Sequence, residues 1–280
     1  MQNKVSQIAR EAGAEAIAAA FYDYETETAW SYQGDRWFHA ASTIKVAVLA
    51  SLFHVVEGGA LTLDARVHVR NRFLSVVDGE PYRIPSESDA NSKVHAATGK
   101  TMKVAELAYN MIVTSSNLAT NLLIDLVGIE ASRRALDDLN VEGIRLVRGV
   151  EDEKAFDAGI NNLVTANGLL RLFRLIQEER GLPPHAAQKM LGILNQQEFN
   201  SGIPAGLPSG VRETARVAHK TGEISTVAHD AGIVSLPRRK PYAVAILTEW
   251  GKDNPNGRHE TIASISRAVY DCLVGDGENA

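Results

Sequence analysis

The sequence predicts an α+β fold: one antiparallel sheet built from both ends of the chain, flanked by terminal helices, with an all-helical lobe inserted between the two ends. Two observations carry this. Strand-like runs lie near the ends, at 14–22, 28–33, 215–222, 230–236 and 241–249, while the stretch between them reads as helices and loops. No internal repeat, low-complexity segment or long linker divides the 280 residues, a length that suits one domain. The expected organisation is a single domain over 1–280, with an α/β lobe of 1–41 and 205–280 and an all-helical lobe of 42–204.

Each element has its own signal. Residues 3–12 place Val5, Ile8, Ala9 and Ala12 on one helical face, and Gly13 stops the helix. The strands 14–22 and 28–33 flank a polar turn, Asp23 to Thr28. Ser42 opens a strongly apolar helix through Val56, ended by Gly58 and Gly59. Residues 64–100 are loop-rich. Helical spacing returns at 103–113 (Val104, Leu107, Ala108, Met111, Ile112) and at 117–127 (Leu118, Leu122, Leu123, Leu126). Further helices are expected at 131–139, 165–179 and 184–196. Strands at 215–222, 230–236 and 241–249 follow, the last two joined by the turn Pro237 to Pro241, and a helix over 259–274 closes the chain.

Composition excludes several function classes. The net charge is −5 and no Lys/Arg cluster forms a nucleic-acid footprint. The longest apolar run, Val46 to Phe53, is too short to cross a bilayer. The expected partner is a small molecule, with neither nucleic acid nor membrane involved. Residues 1–12 are charged and amphipathic, unlike a signal peptide. That predicts a cytoplasmic protein if Met1 is the native start, and a periplasmic or secreted one if a signal peptide has been removed. The single cysteine, Cys272, reads as a core thiol. No His-x-His-x-Asp or His-Glu-x-x-His run supports zinc, and Thr98 to Thr101 lacks the first glycine and the strand of a phosphate-binding loop. No cofactor is expected. A Gly-x-Ser-x-Gly elbow is also missing.

The chemistry begins at Ser42-Thr43-Ile44-Lys45. Three residues of helix put Lys45 one turn beyond Ser42 on the same face, where its amine can reach back to the hydroxyl. A serine needs such a base to become nucleophilic. A lysine can serve once burial or neighbouring cations lower its pKa. The helix N-terminus also offers positive potential to a developing oxyanion. Two further motifs follow in order. Ser115-Ser116-Asn117 lies between the helices near 103–127, and Lys220-Thr221-Gly222 lies on the first late strand. The set Ser-x-x-Lys, Ser-x-Asn and Lys-Thr-Gly, with gaps of about seventy and about one hundred residues, is that of serine enzymes acting on penicillins.

On these motifs the sequence resembles class A β-lactamases and the related penicillin-binding D,D-peptidases over nearly its whole length. The resemblance implies a serine β-lactamase/D,D-peptidase-like fold and specific roles. Ser42 attacks the substrate carbonyl and Lys45 takes its proton, directly or through water. Ser115 passes a proton to the leaving nitrogen. Lys220 polarises Ser115 and, with the Thr221 hydroxyl, binds a substrate carboxylate. Asn117 binds the acylamide, and the backbone N–H groups of Ser42 and Glu223, beside Gly222, form the oxyanion hole. His229, nine residues after Lys220, stands about where class A enzymes carry a carboxylate-binding arginine; it either supplies part of that charge when protonated or is a structural histidine.

The sequence departs from that pattern at three places. Ser116 stands where class A enzymes usually have Asp. Glu223 stands where a small residue is usual, and a carboxylate there disfavours an anionic substrate unless it points away. After Arg148 the run Gly149-Val150-Glu151-Asp152-Glu153 is one residue longer than the class A Arg-x-Glu, and position 155 is Ala rather than Asn. Asp152, Gly159 and Asn162 fit the shortened loop of the peptidase-like relatives. Glu151 is the first candidate for the deacylating base, with Asp152 and Glu153 as alternatives. The alternative to a catalytic role is a solvated acidic loop, tied down by an Arg148–Asp157 ion pair. Three functions follow: hydrolysis of β-lactams through an acyl-enzyme on Ser42, the same acylation in a D,D-peptidase or cytoplasmic amidase or esterase, and a non-turnover module that penicillins acylate permanently.

Overall fold

A computed structural model describes residues 1–90, 92–251 and 257–275. Five strands form one antiparallel sheet in the spatial order Arg216–Ile224, Val227–Ser235, Tyr242–Glu249, Ala16–Asp23, Thr28–Tyr32. The first strand of the chain thus pairs with the last, Ala16 opposite Glu249 and Asp23 opposite Tyr242. The inner strands are buried along almost their whole length, as a sheet covered on both faces requires.

Side-chain alternation sorts the two faces. Ala16, Ala18, Ala20, Ala243, Ala245 and Leu247 face the main core, shared with the helices of the inserted region. Ile17, Ala19, Phe21, Tyr242, Val244 and Ile246 face a second core. Val5 from the helix Gln2–Ala12 and Ile262, Ile265 and Val269 from the helix Arg258–Val274 close that second core. The alanine-rich face lets the helix Ala166–Gln177 lie directly on three strands. The helix Ile44–Glu57 is buried continuously from Ile44 to Phe53, which explains its lack of a polar face.

The expected helices appear at Val104–Val113, Asn117–Val127, Ile129–Asp138, Ala166–Gln177 and Pro184–Leu194. Two local expectations change. The second late strand begins at Val227, not at 230, because Ser225 and Thr226 alone make the turn and polar His229 and Asp230 are paired inside the ladder. Cys272 is exposed rather than a core thiol. The closing helix buries Ile262, Ile265, Ala268 and Val269, and Cys272 falls outside that stripe. Among the described residues, no helix is long and apolar enough to cross a membrane.

Candidate active site

The main-sheet edge strand Arg216–Ile224 lies against a single 3-10 turn, Ala41–Thr43, that precedes the helix Ile44–Glu57. Gly222 permits the approach: a Cβ there would stand 2.8 Å from Thr43 N and 2.9 Å from Ser42 N. The turn is held from both sides. Thr43 Oγ1 donates to Ala40 O at 2.6 Å, and His39 Nδ1 accepts from Ala41 N at 3.0 Å. Ala41 adopts a left-handed φ of 44°, a conformation that persists only where the surroundings impose it. Ser42 does not cap the helix, since no side-chain cap is present there. It instead lines a cleft of about 570 Å³.

Lys45 lies behind Ser42, 0% exposed. It does not reach back to the Ser42 hydroxyl. Nζ donates to Ser115 O at 2.7 Å, Ser115 Oγ at 3.1 Å and Asn117 Oδ1 at 2.7 Å. Three acceptors match the three donors of an ammonium, and they draw the side chain across to the neighbouring helix. Burial lowers its pKa to about 7, against the opposing pull of Asp89 and Glu151. Both protonation states are therefore populated near neutrality.

Lys220, also fully buried, approaches Ser115 from the sheet. Its Nζ donates to Ser115 Oγ at 3.1 Å and to Thr221 O at 2.9 Å. Its pKa is pushed well down, first by burial and then by the Lys45 charge. Ser115 is thus bracketed by two amines. A hydroxyl oxygen has two lone pairs and one proton, so accepting from both lysines leaves its O–H to point into the cleft that it lines. Ser115 holds this position with a left-handed φ of 57°.

Asn117, the first residue of its helix, joins Lys45 to the acidic loop. While its Oδ1 accepts from Lys45, its Nδ2 donates to Glu151 Oε1 at 2.9 Å. Half-buried Glu151 has a raised pKa, mainly from desolvation, with the Lys45 charge opposing. One turn further along, Asn121 holds the backbone before Glu151: Oδ1 accepts from Val150 N at 2.8 Å and Nδ2 donates to Val150 O at 2.9 Å. Tyr82 OH donates to the same carbonyl at 3.2 Å. The alternatives to Glu151 are differently employed. Asp152 is buried and accepts from Ala155 N and Val76 N at 3.2 and 3.1 Å. Glu153 is an exposed residue opening the short helix Glu153–Asp157.

Three expectations are corrected. Arg148 does not pair with Asp157. Its guanidinium donates to Ile160 O, Gly149 O and Asn161 Oδ1 at 2.8, 2.9 and 2.8 Å, so carbonyl oxygens tie this loop down. His229 brings no charge to a substrate carboxylate. It is 1% exposed, with Nε2 2.8 Å from His39 O, and burial lowers its pKa to about 4. Glu223 does not confront an anionic substrate unopposed: His259 Nε2 and Arg258 Nη1 stand 3.1 and 3.8 Å from its oxygens. Ser42, Ser115, Asn117, Glu151 and Glu223 thus line one cleft, backed by Lys45, Lys220 and half-buried Thr221. Asp89, Tyr82 and Asn121 are absent from the sequence-based candidates. Only Asn121 carried a signal, its spacing of four from Asn117 on one helix. Among the described residues no three His, Cys, Asp or Glu gather as a metal site.

The model of a family described as "Beta-lactamase enzyme family" matches residues 1–273. A β-lactamase of Bacteroides uniformis is 28% identical over 266 residues, covering 87% of this chain and 84% of that protein. The solved structure of PBP-A superposes with a TM-score of 0.80 at 27% identity, covering 98% of this chain and 96% of that one. A variant of the last common ancestor of Gram-negative class A β-lactamases superposes with a TM-score of 0.83 over 98% of each chain, at 23% identity, a likeness of fold.

Proposed function

Because the chain belongs to the beta-lactamase enzyme family, we propose that it hydrolyses β-lactam amides through an acyl-enzyme on Ser42. That it is a β-lactamase-like serine hydrolase follows from the family and the fold. The observation that carries the finer reading is the Asn117 bridge, which sets the carboxylate of Glu151 beside Lys45 in the cleft that Ser42 lines. A cleft with a nucleophile and a lysine base supports acylation. A second base facing the same space supports release.

In this reading Ser42 Oγ attacks the lactam carbonyl while its proton passes through a water to the neutral amine of Lys45. The N–H groups of Ser42 and Glu223 hold the oxyanion, each worth roughly 3–4 kcal/mol in the transition state. As the C–N bond breaks, the Ser115 hydroxyl gives its proton to the nitrogen. The two lysines flank its oxygen and are placed to replenish that proton. Lys220 and the Thr221 hydroxyl receive the substrate carboxylate, whose approach favours the charged form of the lysine, and Asn117 receives the acylamide. Glu151 then takes a proton from the water that attacks the ester carbonyl. As the ester C–O bond breaks, that proton is returned, by way of Lys45, to the Ser42 oxygen, which restores the free serine and the Glu151 carboxylate.

The test mixes the protein with a chromogenic cephalosporin and follows colour and intact mass together. Many turnovers per molecule are expected. A persistent adduct on Ser42 would instead favour a peptidase-like or non-turnover protein, and neither colour nor adduct would sink every β-lactam reading. Gly222→Ala offers a geometric check. Its Cβ meets Ser42 N and Thr43 N at under 3 Å, so strand and turn must part. Misplacement of about 1 Å costs about 100-fold in rate, and kcat/KM is expected to fall by that order in a variant that still folds.

A further inference from the structure

We propose that Asp89 is a positioning residue of this site, supplying from outside the three motifs the carboxylate that holds the Ser115–Asn117 turn. Asp89 is 7% exposed and lies just after the short 3-10 turn Ser86–Ser88. Its Oδ2 accepts from Ser116 Oγ at 3.0 Å and from Leu118 N at 2.9 Å. Ser116, fully buried, is the N-cap of the helix Asn117–Val127, and its Oγ also accepts from Ala119 N at 3.2 Å. Serine alone would cap that helix adequately. Here its hydroxyl is a link, passing the first-turn hydrogen bonding on to a buried anion.

That anion does two things that Ser116 cannot. It sets a full negative charge at the positive end of an eleven-residue helix. It also fixes the residue between Ser115 and Asn117, whose side chains take three hydrogen bonds from the two lysines. The left-handed backbone of Ser115 needs such support. The charged groups acting on Lys45 are Asp89 and Glu151, which favour its ammonium, and Lys220, which it repels. Beside Asp89 stands His95, with Nε2 at 3.2 Å. A carboxylate buried this deeply is held by the donors it meets, the Ser116 hydroxyl and the Leu118 N–H.

Asp89→Asn keeps the shape and an acceptor oxygen but removes the charge. The readout is the titration of the Lys45 Cε signal by NMR on ¹³C-lysine-labelled protein, assigned by its loss in Lys45→Arg. This arm is independent of the proposed function, on which only the kinetic arm rests. The Lys45 midpoint is expected to fall by about one pH unit in Asp89→Asn and to stay near its original value in Ser116→Ala, which keeps the carboxylate. In the double variant Asp89→Asn/Ser116→Asp the carboxylate returns to the pocket, and the midpoint is expected to recover. In the kinetic arm, the pH limb of cephalosporin acylation should move with the NMR midpoint. An unmoved Lys45 midpoint in Asp89→Asn overturns the proposal. If that variant does not fold, a folded double variant with the original midpoint supports it, and one with a lowered midpoint overturns it.

Discussion

Ser42→Ala is expected to abolish covalent labelling by penicillins and to cut cephalosporin turnover by about 10⁴-fold or more, the scale on which removal of a serine nucleophile is felt. The geometry makes this a clean substitution. The turn around Ser42 is held by Thr43 Oγ1 on Ala40 O and by His39 Nδ1 on Ala41 N, not by Ser42 itself. The neighbouring lysine gives its hydrogen bonds to Ser115 and Asn117. Losing one hydroxyl at the cleft wall therefore leaves the frame intact, and the melting temperature should stay within about 2 °C, as for surface changes of a few tenths of a kcal/mol. The check is intact mass after incubation with penicillin, followed by peptide mapping. An adduct that persists in Ser42→Ala, for instance on Ser115, would reassign the nucleophile.

The motif residues were legible because each sits where regular structure begins or runs. Ser115 and Asn117 bracket the start of a helix, Lys220 and Thr221 lie in a strand, and Lys45 is the second residue of a helix. Periodicity predicts those elements, and the elements bring the motifs together. What periodicity cannot reach is the path of irregular backbone. Asp89 and Tyr82 come from the loop-rich stretch between two helices, and nothing in their surroundings says which helix they will meet. The loop after Arg148 shows the same limit, where carbonyl oxygens replace the expected Asp157 carboxylate as partners of the guanidinium.

His229 illustrates a different failure. Counting nine residues from Lys220 places it near the substrate, and the ladder agrees on the face: His229 pairs with Gly222 and so shares the side of the sheet that carries Lys220. What removes it from the cleft is cover: its imidazole is 1% exposed, packed against His39 O and the Phe38 ring, just before the Ala41–Thr43 turn. With a pKa of about 4 it stays neutral where the enzyme would work. In the proposed reaction the charge for a substrate carboxylate falls to Lys220, whose pKa is pushed down by burial and by the Lys45 charge.

Glu151→Gln separates the two halves of the proposed reaction. Acylation needs Ser42, a proton acceptor and the Ser115 proton, and the substitution removes none of these. The new amide oxygen can still accept from Asn117 Nδ2, which Glu151 now does at 2.9 Å, so Asn117 and Lys45 stay in place. Release needs a group that takes a proton from water, and an amide cannot. General-base catalysis contributes about 10²–10⁴-fold, so deacylation should slow by that factor while acylation stays within about tenfold. The acyl-enzyme then accumulates, visible as a burst of colour equal to the protein concentration and as a stable mass increment on Ser42. Asp152→Asn is the contrasting variant. That carboxylate holds the N–H groups of Ala155 and Val76, and its loss should lower the melting temperature without trapping an adduct. Unchanged steady-state turnover in Glu151→Gln would remove Glu151 as the base. A trapped adduct in Asp152→Asn alone would move the role one residue along the loop.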